Sequence, residues 1–171
     1  VITGPDLLEV TLDGMDISCF GYDDGTIDAV ATGGTMPYTY TWNPTQTNTA
    51  NLTDLTAGDY SLTVTDENGC VATSMTTIIE PAPVNIDSII SVDNVCFGGT
   101  DGELTVYPSG GSPPFQYSAD GVNFQDSPTL TNLPSGTVTV TIRDVFGCDF
   151  STEADISQPV ELILDAGEDV E

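Results

Sequence analysis

The feature that most constrains the fold of this chain is an internal repeat: the stretch CFGYDDGTIDAVATGG, which begins at Cys19, returns as CFGGTDGELTVYPSGG from Cys96. Cysteine, phenylalanine and paired glycines agree in register too often for chance, so the chain is predicted to contain two copies of one module. The shared residues are Cys19, Phe20, Gly21, Asp24, Gly25, Gly33 and Gly34 in the first copy and Cys96, Phe97, Gly98, Asp101, Gly102, Gly110 and Gly111 in the second.

Prolines near the edges of the copies predict where the modules begin and end. Pro5, Pro81 and Pro159 follow one another at nearly equal spacing. Each module then has roughly 80 residues, a size at which a hydrophobic core alone gives modest stability. The predicted segments are the tail of a preceding repeat at 1–4, a first repeat at 5–81, a second repeat at 82–159 and the start of a following domain at 160–171.

Apolar and polar residues alternate along most of the chain, which is the pattern of half-buried β-strands. Tyr38, Tyr40 and Trp42 alternate with threonines, and glycine-containing turns separate the alternating stretches. The strands are predicted at 7–12, 26–32, 37–43, 50–55, 59–66 and 71–79, and again at 84–91, 103–108, 114–119, 129–133, 137–144 and 149–157. The predicted fold class is therefore all-β, with two tandem immunoglobulin-like antiparallel β-sandwich domains.

The charge balance excludes several partners and most catalytic chemistry. The chain has 27 acidic residues, one basic residue (Arg143), no histidine and a formal net charge of -26. Nucleic acids and anionic membrane surfaces are excluded as partners because both require lysine and arginine, and no apolar run is long enough for membrane insertion. The chain can form neither a histidine-assisted nucleophile nor a Schiff-base lysine, so paired carboxylates are the only catalytic groups left to consider. We predict that the chain is not an enzyme and that it has no catalytic residue and no required cofactor.

The four cysteines fall as one pair in each copy, at matching positions. Disulfides are favoured over a zinc site because the chain lacks both histidine and a C-x2-C pair. The predicted bonds are Cys19–Cys70 and Cys96–Cys148, each stabilising its copy by about 4 kcal/mol and indicating an oxidising, extracellular compartment. One difficulty stays open, because the usual immunoglobulin strand order places the two turns of each pair at opposite ends of the sandwich.

The same pairing would gather carboxylates that could bind calcium, a cation that prefers oxygen ligands. Arg143 would then lie near the second group. The alternative is that these residues simply form turns, since Asp-Gly and Asp-x-x-Gly are common in turns. The candidate ligands are Asp23, Asp24, Asp66 and Glu67 in the first copy and Asp101, Glu103 and Asp144 in the second.

Three further positions are candidates for sugar chemistry. Trp42 either fills the sandwich interior or stacks on a polysaccharide, and a single tryptophan on a central strand favours the interior. Asn51-Leu52-Thr53 fits the N-glycosylation pattern. Ser88, within Asp87-Ser88-Ile89, fits a short O-glycosylation pattern.

Nearly the whole chain resembles the SprB repeat family. The pattern is C-F-G-x-x-D-G, a strand, G-G-x-x-P-[YF]-x-Y, then L-x-x-G-x-Y, D-x-x-G-C and a closing [EQ]-P. The first copy carries it from Cys19 to Tyr40 and at Leu55, Gly58, Tyr60, Asp66, Gly69, Cys70, Glu80 and Pro81. The second carries it from Cys96 to Tyr117 and at Leu133, Gly136, Asp144, Gly147, Cys148, Gln158 and Pro159. The second copy departs from the pattern at Ala119 and Val138, which replace Trp42 and Tyr60.

The resemblance implies a place and a role. Members occur in very large cell-surface adhesins of Bacteroidetes, including those moved during gliding, and are associated with type IX secretion. It implies an extracellular stalk or filament segment whose partners are neighbouring repeats of the same chain. The alternatives are a polysaccharide-binding module and a fibre subunit that assembles with identical chains.

Overall fold

The computed structural model describes residue 4 and residues 6–164, and within them it contains twelve β-strands and no helix. Consequently, no helix in this part of the chain is long and apolar enough to cross a membrane. The chain divides into two compact units, Val1–Ala82 and Pro83–Glu171. Most of the predicted flanking segments 1–4 and 160–171 lies outside the described residues.

The first unit is a sandwich of two three-stranded antiparallel sheets. One sheet has the order β1-β2-β4 and the other the order β3-β5-β6. β1 runs antiparallel to β2 with Glu9 opposite Thr32, and β5 and β6 pair along their full length. The strands are β1 Glu9–Met15, β2 Gly25–Thr32, β3 Thr39–Asn43, β4 Asn51–Leu55, β5 Gly58–Thr65 and β6 Val71–Ile78.

The second unit repeats this arrangement. Its sheets have the orders β7-β8-β10 and β9-β11-β12. Thr129 of β10 lies opposite Thr105 of β8, and β11 pairs with β12 from Gly136 opposite Ile156. The strands are β7 Asn85–Val92, β8 Gly102–Ser109, β9 Gln116–Ser118, β10 Thr129–Leu133, β11 Gly136–Arg143 and β12 Asp149–Ile156.

All twelve predicted strands are present, and the predicted all-β sandwich fold is confirmed. The largest displacement is in β1, which runs from Glu9 to Met15 instead of 7–12. Glycine usually weakens a strand, so Gly14 would be expected to end β1. However, Gly14 packs closely against Ile78 of β6, since an added Cβ would lie 3.4 Å from Ile78 Cδ1. Packing against β6 therefore extends β1 beyond its sequence pattern.

Each unit has its own hydrophobic core. In the first, Trp42 is completely buried among residues that include Leu62 and Val64, and its indole N–H donates to the Thr49 carbonyl at 2.8 Å. In the second, Val106, Val140 and Ile142 are buried. Separate cores allow each repeat to be stable as a unit.

Candidate functional sites at the two ends of each repeat

The residues that the two copies share do not gather on a sheet face; they lie at the two ends of each sandwich. We call the end where the first strand begins the N-terminal end, and the end where the last strand finishes the C-terminal end. In the first repeat β1 begins beside the Gly33-Gly34 bend, and β6 finishes beside the segment after β1, where Ile17 N–H donates to the Ile79 carbonyl at 3.1 Å. The chain thus enters a repeat at one end and leaves it at the other.

Asp66 organises the N-terminal end of the first repeat. Its carboxylate accepts backbone N–H groups from Thr35 at 2.9 Å, Asn68 at 2.9 Å and Cys70 at 2.7 Å. In the second repeat Asp144 accepts the equivalent N–H groups, which belong to Ser112, Phe146 and Cys148, at distances of 3.0, 2.9 and 2.9 Å. The aspartate of D-x-x-G-C therefore joins the turn before the last strand to the bend that follows the paired glycines.

The paired glycines are required by close packing at this end. Gly33 has φ 73°, and a Cβ there would lie 1.9 Å from the Leu7 carbonyl oxygen. A Cβ on Gly34 would lie 2.8 Å from Asp66 Oδ2. In the second repeat a Cβ on Gly111 would lie 2.5 Å from Val84 Cγ2. Side chains at these positions would displace the first strand or the organising aspartate.

The C-terminal end is held by the other shared residues. Glu80 accepts the Gly21 N–H at 2.7 Å, and Gln158 accepts the Gly98 N–H at the same distance. The closing [EQ]-P therefore binds the backbone of the C-F-G loop. Asp24 accepts hydrogen bonds from the backbone N–H and the hydroxyl of Ser18, which closes that loop on itself.

The structure corrects both predicted disulfides. Cys70 and Cys96 are free and exposed, whereas Cys19 and Cys148 are disulfide-bonded. Cys19 lies in the loop beside Glu80 at the C-terminal end of its repeat, and Cys70 immediately precedes β6 at the N-terminal end. An eight-residue strand spans roughly 25 Å, and the Cα atoms of a disulfide must approach within about 7 Å. The strand order therefore overrides the matching positions of the cysteines.

The predicted gatherings of carboxylates are wrong for the same reason. Asp23 and Asp24 lie at the C-terminal end of the first repeat, while Asp66 and Glu67 lie at its N-terminal end. Among the described residues, no three histidine, cysteine, aspartate or glutamate side chains are placed to share a metal ion.

The second predicted calcium group is separated in the same way. Asp101 and Glu103 flank the start of β8 at the C-terminal end, whereas Asp144 follows β11 at the N-terminal end. Arg143 instead pairs with Asp149 through two hydrogen bonds of 2.6 and 2.7 Å and lies 4.2 Å from the Phe124 ring centroid. Hydrogen bonding to Asp149 raises the pKa of the Arg143 guanidinium.

Among the aspartates that the structure describes, three have lowered pKa values. Burial raises the pKa of Asp66, but the N–H donors from Thr35, Cys70 and Asn68 outweigh it and hold the pKa below its ordinary 3.8. Hydrogen bonds from Ser18 lower the pKa of Asp24. Those from Asn123, Val122 and Ser118 hold the pKa of Asp120 well below its usual range. All three carboxylates act as backbone caps.

We expect Asp66→Asn to destabilise the first repeat at neutral pH and to lose most of this effect in acid. The folded-state pKa lies below the ordinary 3.8, so ionised Asp66 contributes its full stability above that value and loses it as pH falls through the folded pKa. Urea unfolding of the full chain in reducing buffer, followed by the fluorescence of the single tryptophan, reports on the first repeat.

The matched control is Asp13→Asn, which removes the same charge from an exposed position on β1. It should move the urea midpoint little at any pH. A gap between wild type and Asp66→Asn that stays unchanged from pH 7 to about pH 3 would contradict the assignment.

The remaining predicted positions divide into one correction and two untested predictions. Trp42 has no exposed surface, so the suggestion that it stacks on sugars is wrong and its core placement is confirmed. In the second repeat the matching residue is Ala119, which lines an open depression together with Leu133 and Val138. Ser88 and Asn51 are exposed, and their glycosylation stays a prediction.

Sequence reasoning missed Asn94, which organises the C-terminal end of the second repeat. Its side-chain carbonyl accepts the Asp101 and Gly102 N–H groups at 2.7 Å each, and the residue is buried. The matching position in the first repeat is Ile17. The sequence offered one signal for this role, because Asn94 stands where the first copy has the apolar residue Ile17.

Comparison with known proteins supports the family resemblance and the fold. The family model of the SprB repeat matches at residues 11–47 and again at 88–124, so the predicted resemblance to this family is confirmed at two places in the chain. No curated protein matches the chain. SprB repeat proteins belong to the cell surface, and such repeats are typical of non-enzymatic structural or adhesion modules.

Two solved structures that are similar to this chain each contain several domains. Three N-terminal domains of the bacteriophage RB49 highly immunogenic outer capsid protein Hoc are similar, at TM-score 0.55 and 23% identity over 89% of this chain. This chain spans 59% of the length of that fragment. Immunoglobulin domains 1–5 of Sidekick-1 are similar at TM-score 0.45 and 11% identity, covering 92% of this chain and 40% of theirs. The strands and the antiparallel sheets of each unit themselves fit the predicted immunoglobulin-like β-sandwich fold.

Proposed function

We propose that this chain is a segment of the stalk or filament of a large secreted cell-surface adhesin, exported by type IX secretion and used in surface attachment or gliding. The observation that carries the proposal is the position of the chain ends within each repeat. Because the first strand begins at one end of the sandwich and the last strand finishes at the other, every copy adds its own length to a chain of repeats.

The terminal strands also support a load-bearing role. β1 and β6 both run toward the C-terminal end, where Asp16 accepts the Ile79 N–H at 2.8 Å. In the second repeat Asp93 accepts the Ser157 N–H at 2.9 Å. Pulling the two ends of a repeat apart would slide its terminal strands past each other, so many contacts would have to break together.

The composition fits an extracellular segment. A net charge of -26 keeps long chains soluble and apart, and salt screens the repulsion within each repeat. Cys19 and Cys148 are each disulfide-bonded, which is consistent with an oxidising compartment. The polysaccharide-binding alternative loses its main support because the Trp42 ring is buried.

The test replaces residues 6–159 of the cell's own adhesin with two unrelated immunoglobulin-like modules of similar length that also have their chain ends at opposite poles. A stalk should tolerate this exchange, so we expect attachment under flow to stay near the wild-type level. Deletion of the same residues is the matched control and should reduce attachment by shortening the reach.

The amount of adhesin at the surface must be equal in all three strains, as measured with an antibody against a region outside the exchange. Loss of attachment after the exchange, at equal surface display, would show that these repeats hold a binding site. That result would overturn the stalk proposal.

A further inference from the structure

The second repeat leaves part of its central strand β11 without a neighbour. β9 pairs with β11 only at Thr141–Arg143, so residues 136–140 have β12 on one side and no strand of the described chain on the other. In the first repeat β3 pairs with a longer part of β5, Ser61–Thr65. An open strand edge can accept an added strand. We propose that this edge and the depression beside it form a docking site for an extended, basic peptide segment with one aromatic side chain, supplied by a partner protein.

The depression lies along the open edge of β11. It has a volume of about 480 Å³, and its lining includes Thr137, Val138 and Thr139 of that edge. Ala119 and Leu133 also line it, and both pack against the core of the repeat. Because side chains alternate along a strand, every second side chain of an added strand would point into the depression.

The first repeat shows what fits at this position of the sandwich. There Trp42 has no exposed surface and Tyr60 is 5% exposed. The second repeat has Ala119 and Val138 in their places, and both are half-buried. An aromatic side chain buries roughly 150–250 Å². The second repeat therefore has room for an aromatic ring that its own sequence does not supply.

The hydrogen bonds around the depression are complete without such a ring. In the first repeat the Thr49 carbonyl accepts the indole N–H of Trp42. The matching carbonyl in the second repeat belongs to Ser127, and it accepts the side-chain amide of Gln125 at 2.9 Å. A ring that enters the depression would not have to displace this bond.

The rim of the depression is fixed by a bend that directly follows β9. Ser118 is fully buried, and its hydroxyl accepts the Gly121 N–H at 2.9 Å. The Asp120 carboxylate accepts the N–H groups of Val122 and Asn123 at 2.9 and 2.7 Å. These bonds fold residues 119–123 into a bend instead of continuing the strand beside β11. The rim is therefore ordered before docking, so little chain entropy is lost on binding.

The charge of the site favours a basic partner. Asp120 lines the depression, and Glu153 and Asp155 lie on β12 opposite the threonines of the open edge. Outward-facing lysines or arginines of an added strand would stand on the same side of the sheet as these carboxylates, which would attract them. A second copy of this chain is disfavoured as the occupant, because it has the same net charge of -26 and Arg143 is its single basic residue.

The probe is a fluorescein-labelled peptide of sequence KTKWKTK, in which the tryptophan faces one way and the lysines the other when it is extended. Fluorescence anisotropy measures its binding to the full chain in reducing buffer at about 0.15 M salt. The matched control is KTKAKTK, which has the same charge. We expect the tryptophan peptide to bind at least about tenfold more tightly, because the ring fills the depression.

Substitution of Ala119 tests the position of the site. Ala119→Trp should fill the depression as Trp42 fills it in the first repeat, and should weaken binding of the tryptophan peptide about tenfold, to the level of the alanine peptide. Ala119→Leu adds less volume and should cause a smaller loss, and it decides the matter if the larger side chain prevents folding, which circular dichroism reports. Thr73→Trp, at an exposed position on β6, is the control and should leave binding unchanged.

Equal affinities for the two peptides would mean attraction by charge alone. Equal affinities of wild type and a folded Ala119 variant would place binding elsewhere. A wild-type chain that sediments as a dimer, with Ala119→Trp monomeric, would make a second copy the occupant. Each of these results overturns the docking site. The inference goes beyond the stalk proposal, which rests on attachment and is untouched by them.

Discussion

Replacing Trp42 with alanine is expected to lower the stability of the first repeat by about 3–5 kcal/mol. Trp42 is completely buried, and its indole N–H is the partner of the Thr49 carbonyl, so alanine would leave both a cavity and an unpaired acceptor. A module of this size commonly has a total stability of about 5–10 kcal/mol. The substitution should therefore bring the first repeat close to unfolding.

Calorimetry of the full chain in reducing buffer measures this effect. The transition of the first repeat should fall by more than about 10 °C or disappear. The transition of the second repeat should stay in place, because its core cluster contains no residue of the first. Met75→Ala, at a 70% exposed position on β6, is the matched control and should change little. Two unchanged transitions in Trp42→Ala would contradict the assignment of Trp42 to the core.

We expect Gly33→Ala, which adds one methyl group at the N-terminal end of the first repeat, to lower the stability of that repeat strongly. The added Cβ would lie 1.9 Å from the Leu7 carbonyl oxygen, which belongs to the backbone and cannot rotate away. The segment before β1 would have to move, and with it the bond from Gly34 N–H to the Asp6 carbonyl. We expect a loss of about 3 kcal/mol or more.

Gly69→Ala separates the steric clash from the backbone preference. Gly69 has φ 81°, close to the 73° of Gly33, but a Cβ there would meet no atom within 4 Å. Its cost should be the left-handed penalty alone, about 1–2 kcal/mol. Urea unfolding followed by tryptophan fluorescence compares the two variants directly. Equal losses of stability in the two variants would mean that the backbone near Leu7 moves aside at little cost. The close approach of Gly33 to Leu7 would then have no role in stability.

Local patterns were sufficient to predict the repeat, the strands and the class of fold. Alternation of period two, as in Tyr60, Leu62 and Val64, specifies which side chains face a core. Glycine-rich turns specify where strands stop. These patterns depend only on a few neighbouring residues, so they can be interpreted without knowing which strands pair with each other. The shift of β1 to Glu9–Met15 is the exception, because contact with β6 extends it.

The ends of the repeats could not be predicted in this way. Matching positions suggested that Cys19 pairs with Cys70, and an acidic cluster followed from that pairing. The structure places the two cysteines at opposite ends of a sandwich and the aspartates with them, each capping nearby backbone N–H groups. The conflict with the immunoglobulin strand order was visible in the sequence, but choosing between the two required knowing which strands are neighbours.

The sequence by itself determined that this protein contains two tandem copies of one β module, each with its own core. Periodicity and turn residues, which carry this information, are properties of short stretches of chain. The tertiary structure alone decided which end of the module each cysteine and each aspartate occupies. The order of the strands in the sheets decides which residues lie close together in space. A disulfide or a cluster of carboxylates requires residues that are close in space, whatever their separation along the chain.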